Sequence, residues 1–224
     1  CLDMIAACRT ADVPLWVGYY RRALPRFLAV RDLIAGGAIG EVRLVVSRQF
    51  QQLPGAEQFA DGALPWRVNP ELSGGGFFFE AACHTFDFLD FLFGPIADVR
   101  AFAGNQAGAY RPEDVVTATY RFASGVHGSG TWCYAADFDE EYNEIVGARG
   151  RIRFSTSQPV PIRIFRGETV EEVPVGDPDH VHQPLIQTIV DELNGIGKCA
   201  STGESAARTA QVMEAILAEF RTRS

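Results

Sequence analysis

The sequence contains one conspicuous apolar segment, Ser73-Gly-Gly-Gly-Phe-Phe-Phe-Glu-Ala-Ala-Cys-His-Thr-Phe-Asp-Phe-Leu-Asp-Phe-Leu-Phe-Gly94. It opens with glycines and continues as a run of aromatic and aliphatic residues, which predicts a buried helix. Four strongly polar side chains interrupt the run: Glu80, His84, Asp87 and Asp90. At about 100° per residue, Glu80, His84 and Asp87 fall within roughly 60° of one another. Since ionisable groups on an apolar helix are costly unless they are paired or face a cavity, this stripe predicts the floor of a site.

The residues around this segment predict an α+β domain. A helix is expected at 25–35 and a strand at 39–50, and two amphipathic helices are expected at 181–194 and 204–221. Close succession with tight turns favours antiparallel hairpins. The expected hairpin strands are 99–105, 115–122, 126–134, 141–146, 151–154, 162–165 and 170–175. We therefore predict one large, mostly antiparallel open sheet of about six to eight strands with helices packed on one face.

The other face of this sheet needs a cover of its own. We take Phe122, Trp132 and Tyr134 as hydrophobic residues on that outer face. A large exposed apolar surface is typical of protein–protein interfaces, so the sequence predicts a homo-oligomer formed through the open sheet face.

The composition limits the possible partners. Of 224 residues, 47% are hydrophobic and 21% charged, and the net charge is −8 with a pI near 5.0. Because Lys and Arg are scattered, neither nucleic acid nor an anionic membrane surface is an expected partner, and small molecules are favoured. The charges within residues 77–93 exclude a membrane span there. Five cysteines without a CxxC pair predict reduced thiols and a cytoplasmic location.

The first residues read as the end of a domain that begins upstream. Residues 2–8 predict a helix, 11–14 a turn and 15–20 a short buried strand, which together form half of a βαβ unit. Residues 1–20 are thus expected to be the tail of an α/β domain, and 21–224 a second domain.

A long connection leads into the glycine-led helix. Residues 51–73 are rich in Pro, Gly and Asp and include Trp66 and Arg67. Connections of this length without regular structure tend to be functional. We expect Trp66 and Arg67 to overhang the face that carries Glu80 and His84.

The polar stripe allows three interpretations. His84 titrates near neutral pH, and a carboxylate one turn away suits proton removal from an alcohol. Alternatively, Glu80 and His84 form a structural i,i+4 pair while Asp87 caps a neighbouring backbone group. A metal site built from these three side chains is the third possibility.

Other polar and glycine residues are interpreted as structural. Residues 74–76 lack the Lys and Ser/Thr of a phosphate loop, and we expect them to permit close backbone approach at the helix N-terminus. Cys83 is expected to be a small buried thiol rather than a nucleophile. His127, His180 and His182 are interpreted as surface or core residues rather than catalytic ones.

From Gly74 to Asp87 the sequence resembles the GGGxxxDxxxHxxD signature of the Gfo/Idh/MocA oxidoreductases, the glucose–fructose oxidoreductase and inositol dehydrogenase family. The resemblance extends over nearly the whole chain in the expected order. Its further segments are Val17-Gly-Tyr-Tyr-Arg-Arg22-Ala-Leu-Pro25, Ile34-Ala-Gly-Gly-Ala-Ile-Gly40, Trp66-Arg67, Glu144-Ile-Val-Gly-Ala-Arg-Gly-Arg-Ile152 and Thr202-Gly-Glu-Ser-Ala206.

The resemblance implies a Rossmann domain that binds NAD or NADP, with residues 1–20 as its remnant. It implies that 21–224 form a substrate-binding and oligomerisation domain of the dihydrodipicolinate-reductase/glyceraldehyde-phosphate-dehydrogenase-like type. The implied reaction is hydride transfer between nicotinamide and a hydroxyl or carbonyl of a sugar, cyclitol or related polyol. No metal is implied.

Site roles carry over by position. The acid/base histidine of the family falls on His84, and its partner carboxylate falls on Glu80. Trp66, Arg67 and Asp87 are the implied substrate contacts. The implied cofactor contacts at the domain junction are Tyr20 and Arg22.

Two departures keep a second hypothesis open. Position 80 is Glu where the signature has Asp, and the family's glycine fingerprint and Glu-Lys-Pro motif are absent from these 224 residues. We therefore expect this chain alone to be inactive. The alternative is a non-catalytic family member that binds a ligand or partner, and a metal-assisted lyase or isomerase is the third hypothesis.

Overall fold

The computed structural model describes residues 1–53, 55 and 65–223. The predicted connection at 51–73 therefore lies partly outside the described residues. The α-helices among them are α1 (Leu2–Thr10), α2 (Pro25–Ala35), α3 (Pro70–Ser73), α4 (Phe77–Phe93), α5 (Gln183–Leu193) and α6 (Gly203–Arg223). Short 3₁₀ turns are formed by Tyr20–Arg22 and Trp66–Val68.

The strands follow the predicted hairpins closely. They are β1 (Val42–Gln52), β2 (Ile96–Gly104), β3 (Val115–Phe122), β4 (His127–Ala136), β5 (Glu140–Gly147), β6 (Gly150–Phe154), β7 (Ile162–Arg166) and β8 (Thr169–Val173). Turns of two to four residues separate β3 from β4, β5 from β6 and β7 from β8, and such short turns favour antiparallel pairing.

These eight strands form a single sheet in the order β2-β3-β4-β1-β5-β6-β7-β8. Every neighbouring pair is antiparallel except β1 and β4, which run parallel. The parallel pair arises because β1 and β4 are not consecutive: α4, β2 and β3 lie between them, a connection long enough to bring β4 beside β1 in the same direction. The predicted α+β class and mostly antiparallel sheet are confirmed.

The helices cover one face of the sheet, and α4 fills its centre. Phe78 meets Trp132 with ring centroids 5.1 Å apart, and Phe93 meets Phe122 at 5.3 Å. Phe122, Trp132 and Tyr134 are each 1% exposed. The prediction that they lie on the outer face is wrong. Alternation along a strand shows which residues share a face but not which face is covered, and the most apolar set turns towards the helices.

The uncovered face is mixed, because Leu44, Val46 and Phe50 share it with charged residues. The alternate residues of β1, β5, β6 and β7 form ion pairs across the strands, such as Arg48 with Glu140 at 2.6 Å and Arg153 with Glu144 at 2.9 Å. Opposite charges on neighbouring strands support the sheet modestly and keep this face compatible with water.

The glycines before α4 allow the close approach that the sequence predicts. A Cβ at Gly75 would lie 2.5 Å from the Cβ of Phe79, and one at Gly76 would lie 2.7 Å from the Cβ of Pro112. The approach brings Glu113 to the helix N-terminus, where its carboxylate accepts a hydrogen bond from the Gly76 N–H at 3.2 Å. A buried carboxylate of the same chain thus occupies this N-terminus.

The N-terminal residues differ in part from the prediction. The helix expected at 2–8 is α1, but residues 15–20 form no strand. Among the described residues, the backbone pairing of this segment is a single β-bridge from Trp16 to Thr202, and one bridge is too short to form a strand. The assignment of 1–20 to a preceding domain stays a prediction. No helix of the described chain is both long enough and apolar enough to cross a membrane.

Candidate active site

His84 lies on α4 beside two tyrosine side chains. The Tyr19 ring meets the imidazole edge-on with centroids 5.7 Å apart, and the Tyr20 ring lies 6.0 Å away. Both tyrosines belong to the turn that connects the N-terminal segment to α2. The second turn of α4 and this segment therefore form the two walls around His84.

The imidazole of His84 is held in its neutral form. Burial, the positive charge of Arg21 and the nearby His182 lower the pKa of His84 to about 4. Its Nδ1 atom is buried and has no hydrogen-bond partner among the described residues. At neutral pH such an imidazole carries one proton and can accept a second, which general-base chemistry requires.

Glu80 lies one helical turn before His84 and faces a different partner from the one expected. Its Oε2 is 3.3 Å from the Arg67 Nε, and both side chains are partly exposed. The Arg67 guanidinium also lies over the Trp66 ring, 4.8 Å from its centroid. Arg67 thus reaches Glu80 on α4, and Trp66 lies beside Arg67. The structure shows no hydrogen bond from Glu80 to His84 in the described part of the chain.

Asp87 and Arg22 are buried against each other. The Asp87 carboxylate accepts hydrogen bonds from Arg22 Nε and Nη2, both at 2.8 Å. Arg22 Nη2 also donates to Asp90 at 3.0 Å, and Arg208 reaches Asp90 at 2.7 Å from outside. With side-chain exposures of 4% and 1%, Arg22 and Asp87 cannot contact a ligand in this arrangement. An ion pair therefore takes the place of the expected cofactor contact at Arg22 and the expected substrate contact at Asp87. It holds residues 19–22, the tyrosine segment, to α4.

The same geometry removes the basis for a metal at this stripe. Asp87 points into its ion pair, and Glu80 points to Arg67. No group of three or more His, Cys, Asp or Glu side chains within residues 1–53, 55 and 65–223 is arranged to hold a metal ion.

Cys83 fits its interpretation as a buried thiol. Its Sγ lies 3.1 Å from the Glu80 carbonyl oxygen, and burial raises the pKa of the thiol to about 11. A thiol with a raised pKa is a poor nucleophile at neutral pH.

Three residues that the sequence interpretation did not assign lie beside His84. Tyr19 contacts it directly, and Arg21 lies over the Tyr20 ring at 4.8 Å while its Nε donates to the Thr156 carbonyl at 2.9 Å. His182, from the segment before α5, packs on Tyr20 with centroids 4.4 Å apart. Arg21 and Tyr19 adjoin the assigned Tyr20 and Arg22, which was the available signal. No sequence pattern near His182 indicated this position, because all strands of the sheet lie between Tyr20 and His182 in the sequence.

The fold is thus an open, mostly antiparallel sheet with a partly buried histidine on its central helix. The family model described as the GFO/IDH/MocA C-terminal domain matches residues 27–153, more than half of the chain. The chain belongs to the Gfo/Idh/MocA family, as the sequence resemblance implied.

Individual relatives agree with this assignment. The chain is 28% identical over 211 residues to oxidoreductase P35 of Formosa agariphila, covering 94% of this chain and 64% of that protein. It is 30% identical over 192 residues to inositol 2-dehydrogenase of Rhizobium meliloti, covering 79% and 51%. The crystal structure of an NAD binding oxidoreductase from Klebsiella pneumoniae matches all of the chain and 68% of its own length, with a TM-score of 0.81 at 20% identity. The chain thus spans between about half and two thirds of the length of these two curated relatives.

Proposed function

We propose that this chain is the substrate-binding domain of an NAD(P)-dependent oxidoreductase. The reaction transfers hydride between nicotinamide and a hydroxyl or carbonyl carbon of a sugar, cyclitol or related small polyol. Family membership and the inositol dehydrogenase relative support the class of reaction. The observation that carries the proposal is the neutral His84, enclosed by Tyr19 and Tyr20 one helical turn from the Glu80–Arg67 pair.

In the oxidative direction, His84 accepts the proton of the substrate hydroxyl. A pKa near 4 leaves the imidazole unprotonated at neutral pH, so it has a free site for that proton, and its partial burial limits the access of bulk water. An imidazole with so low a pKa is a weaker base than one whose pKa lies near the working pH. Glu80 and Arg67 are partly exposed, so they offer an acceptor and donors to other substrate hydroxyls. Trp66 is 52% exposed and supplies an apolar surface for the substrate ring.

The described residues do not build a dinucleotide site. Arg22 is committed to Asp87, and the sheet contains a single parallel strand pair rather than the parallel sheet of a nucleotide-binding domain. Tyr20 is the one predicted cofactor contact that lies beside His84. The part played by this chain is consequently substrate binding and proton transfer, and we propose that its 224 residues alone sustain no turnover.

We also propose a homo-oligomer through the uncovered face of the sheet. The face is large and free of helices, and it carries the ion-pair ladder of Arg48, Glu140, Arg153 and Glu144 together with Phe102, which is 79% exposed. Charge reversal in Arg153→Glu should shift sedimentation velocity towards the monomer, and an unchanged sedimentation coefficient would contradict this interface. All five cysteines are free thiols, which supports a cytoplasmic location.

The function is tested by a dehydrogenase screen with the coding sequence upstream of Cys1 included. Oxidation of myo-inositol, D-glucose, D-xylose and glycerol is followed at 340 nm with NAD⁺ and with NADP⁺. In the protein that turns over, His84→Ala should lower kcat by about 10²- to 10⁴-fold, the usual contribution of general acid–base catalysis. His127→Ala, an exposed histidine on β4, is the matched control and should leave kcat unchanged. Wild-type kcat in His84→Ala would contradict the proposal.

A further inference from the structure

His182 packs on Tyr20, the tyrosine that also lies beside the candidate base His84. Its imidazole packs on the Tyr20 ring with centroids 4.4 Å apart and planes inclined by 47°. The same Tyr20 ring lies 6.0 Å from the imidazole of His84. Tyr20 is therefore shared by two histidines, and His182 is close enough for its charge to disfavour protonation of His84.

Apart from its packing on Tyr20, the side chain of His182 has no evident structural role among the described residues. The residue occupies the N-cap position of α5, where a side chain commonly accepts a hydrogen bond from the helix. The imidazole makes no such bond, and only the backbone carbonyl of His182 takes part, accepting from the Ile186 N–H at 3.0 Å. His182 is also exposed, so its ring nitrogens are accessible to a ligand.

An exposed imidazole is well suited to a polyol. A neutral imidazole offers one N–H donor and one acceptor, which matches the two functions of a hydroxyl group. The neighbouring Tyr20 ring adds an apolar wall beside it. Polyhydroxylated substrates present several hydroxyls beyond the reacting one, and each needs a polar partner when it leaves water.

We propose that His182 is a substrate-contacting residue that binds a hydroxyl of the polyol away from the carbon that exchanges hydride. The inference rests on the proposed function, because it places His182 in the same site as His84. It assigns to the segment before α5 a part in substrate selection, in addition to the α4 and Trp66–Arg67 contacts.

The test compares His182→Ala and His182→Gln with His180→Ala in the protein expressed with its upstream coding sequence. His180 is an exposed histidine two residues away with no ring contact to the site among the described residues, so it controls for changes in the segment itself. Kinetics are measured with the best substrate among myo-inositol, D-glucose, D-xylose and glycerol. Thermal unfolding is recorded for every variant.

Loss of one hydroxyl contact should raise KM of His182→Ala by roughly 3- to 10-fold with kcat nearly unchanged. His182→Gln should recover part of the loss, because its amide can also donate and accept. His180→Ala should match the wild type, and Tm should be the same for all three variants. An unchanged KM in His182→Ala would overturn the inference. An equal loss in His180→Ala, or a loss that follows a lower Tm, would overturn it as well.

A binding measurement gives an independent readout. With only four histidines in the chain, each imidazole signal can be assigned in ¹H–¹³C spectra by substitution. A saturating concentration of the same polyol should shift the His182 and His84 signals and leave the His127 and His180 signals unchanged. A shift of His84 without His182 would refute the inference while keeping the proposed function. Absence of wild-type turnover with every polyol would count against the proposed function itself.

Discussion

Replacing Asp87 by alanine should lower the free energy of unfolding by about 3 kcal/mol. Arg22 is 4% exposed and donates two hydrogen bonds of 2.8 Å to the Asp87 carboxylate. Removing one partner of a buried ion pair typically costs about 3–5 kcal/mol, because the remaining charge is left without compensation. Arg22 would keep its bonds to Asp90 and to the Ala200 carbonyl, both at 3.0 Å, so we expect the lower end of that range.

The measurement is urea unfolding of the 224-residue chain, followed by tryptophan fluorescence. Asp98→Ala is the matched control, since Asp98 pairs with Arg121 on the surface at about half exposure and should contribute less than about 1 kcal/mol. Burial raises the pKa of Asp87 to about 6 although Arg22 opposes the rise, which indicates that desolvation outweighs the attraction. The double variant Arg22→Met/Asp87→Leu should therefore recover most of the lost stability. Equal effects of Asp87→Ala and Asp98→Ala would refute the reasoning.

Two further perturbations act on different parts of the molecule. The folded-state pKa of His84, about 4, lies below its ordinary value of 6.5, so its contribution to stability is complete above pH 6.5 and is lost as pH falls towards 4. In urea unfolding, the free energy of unfolding of His84→Gln should therefore fall by about 2 kcal/mol less than that of the wild type between pH 7.5 and pH 5. A Cβ on Gly130 would lie 2.1 Å from the Trp132 ring, so Gly130→Ala should lower stability by about 1–3 kcal/mol, whereas Gly104→Ala, with open space, should stay within about 1 kcal/mol by the same assay.

Local patterns predicted most of the elements. The periodicity of residues 77–93 and the glycines before them predicted α4, and the turn signals predicted the hairpins β3–β4, β5–β6 and β7–β8. Both depend on residues close together in the sequence. The prediction of which sheet face the helices cover was wrong. Phe122 and Trp132 alternate with polar residues along their strands, and this alternation is the same whichever of the two faces is covered.

The candidate site was only partly predictable. The stripe and the family signature both marked His84 and Glu80, and Arg67 was expected nearby. Burial of Asp87 with Arg22 depends on a contact between the tyrosine segment and α4 that no helical spacing reveals. His182 reaches Tyr20 across more than half of the sequence, so its place beside the site is a product of tertiary packing.

The proposed proton transfer requires a neutral His84 at physiological pH. The most direct test is a ¹H–¹³C NMR titration of the four imidazoles, with the His84 signal identified by its loss in His84→Gln. We predict that this signal titrates near pH 4. A His84 imidazole that is still protonated at pH 7.5 would contradict this role, because an imidazolium cannot accept the substrate's proton.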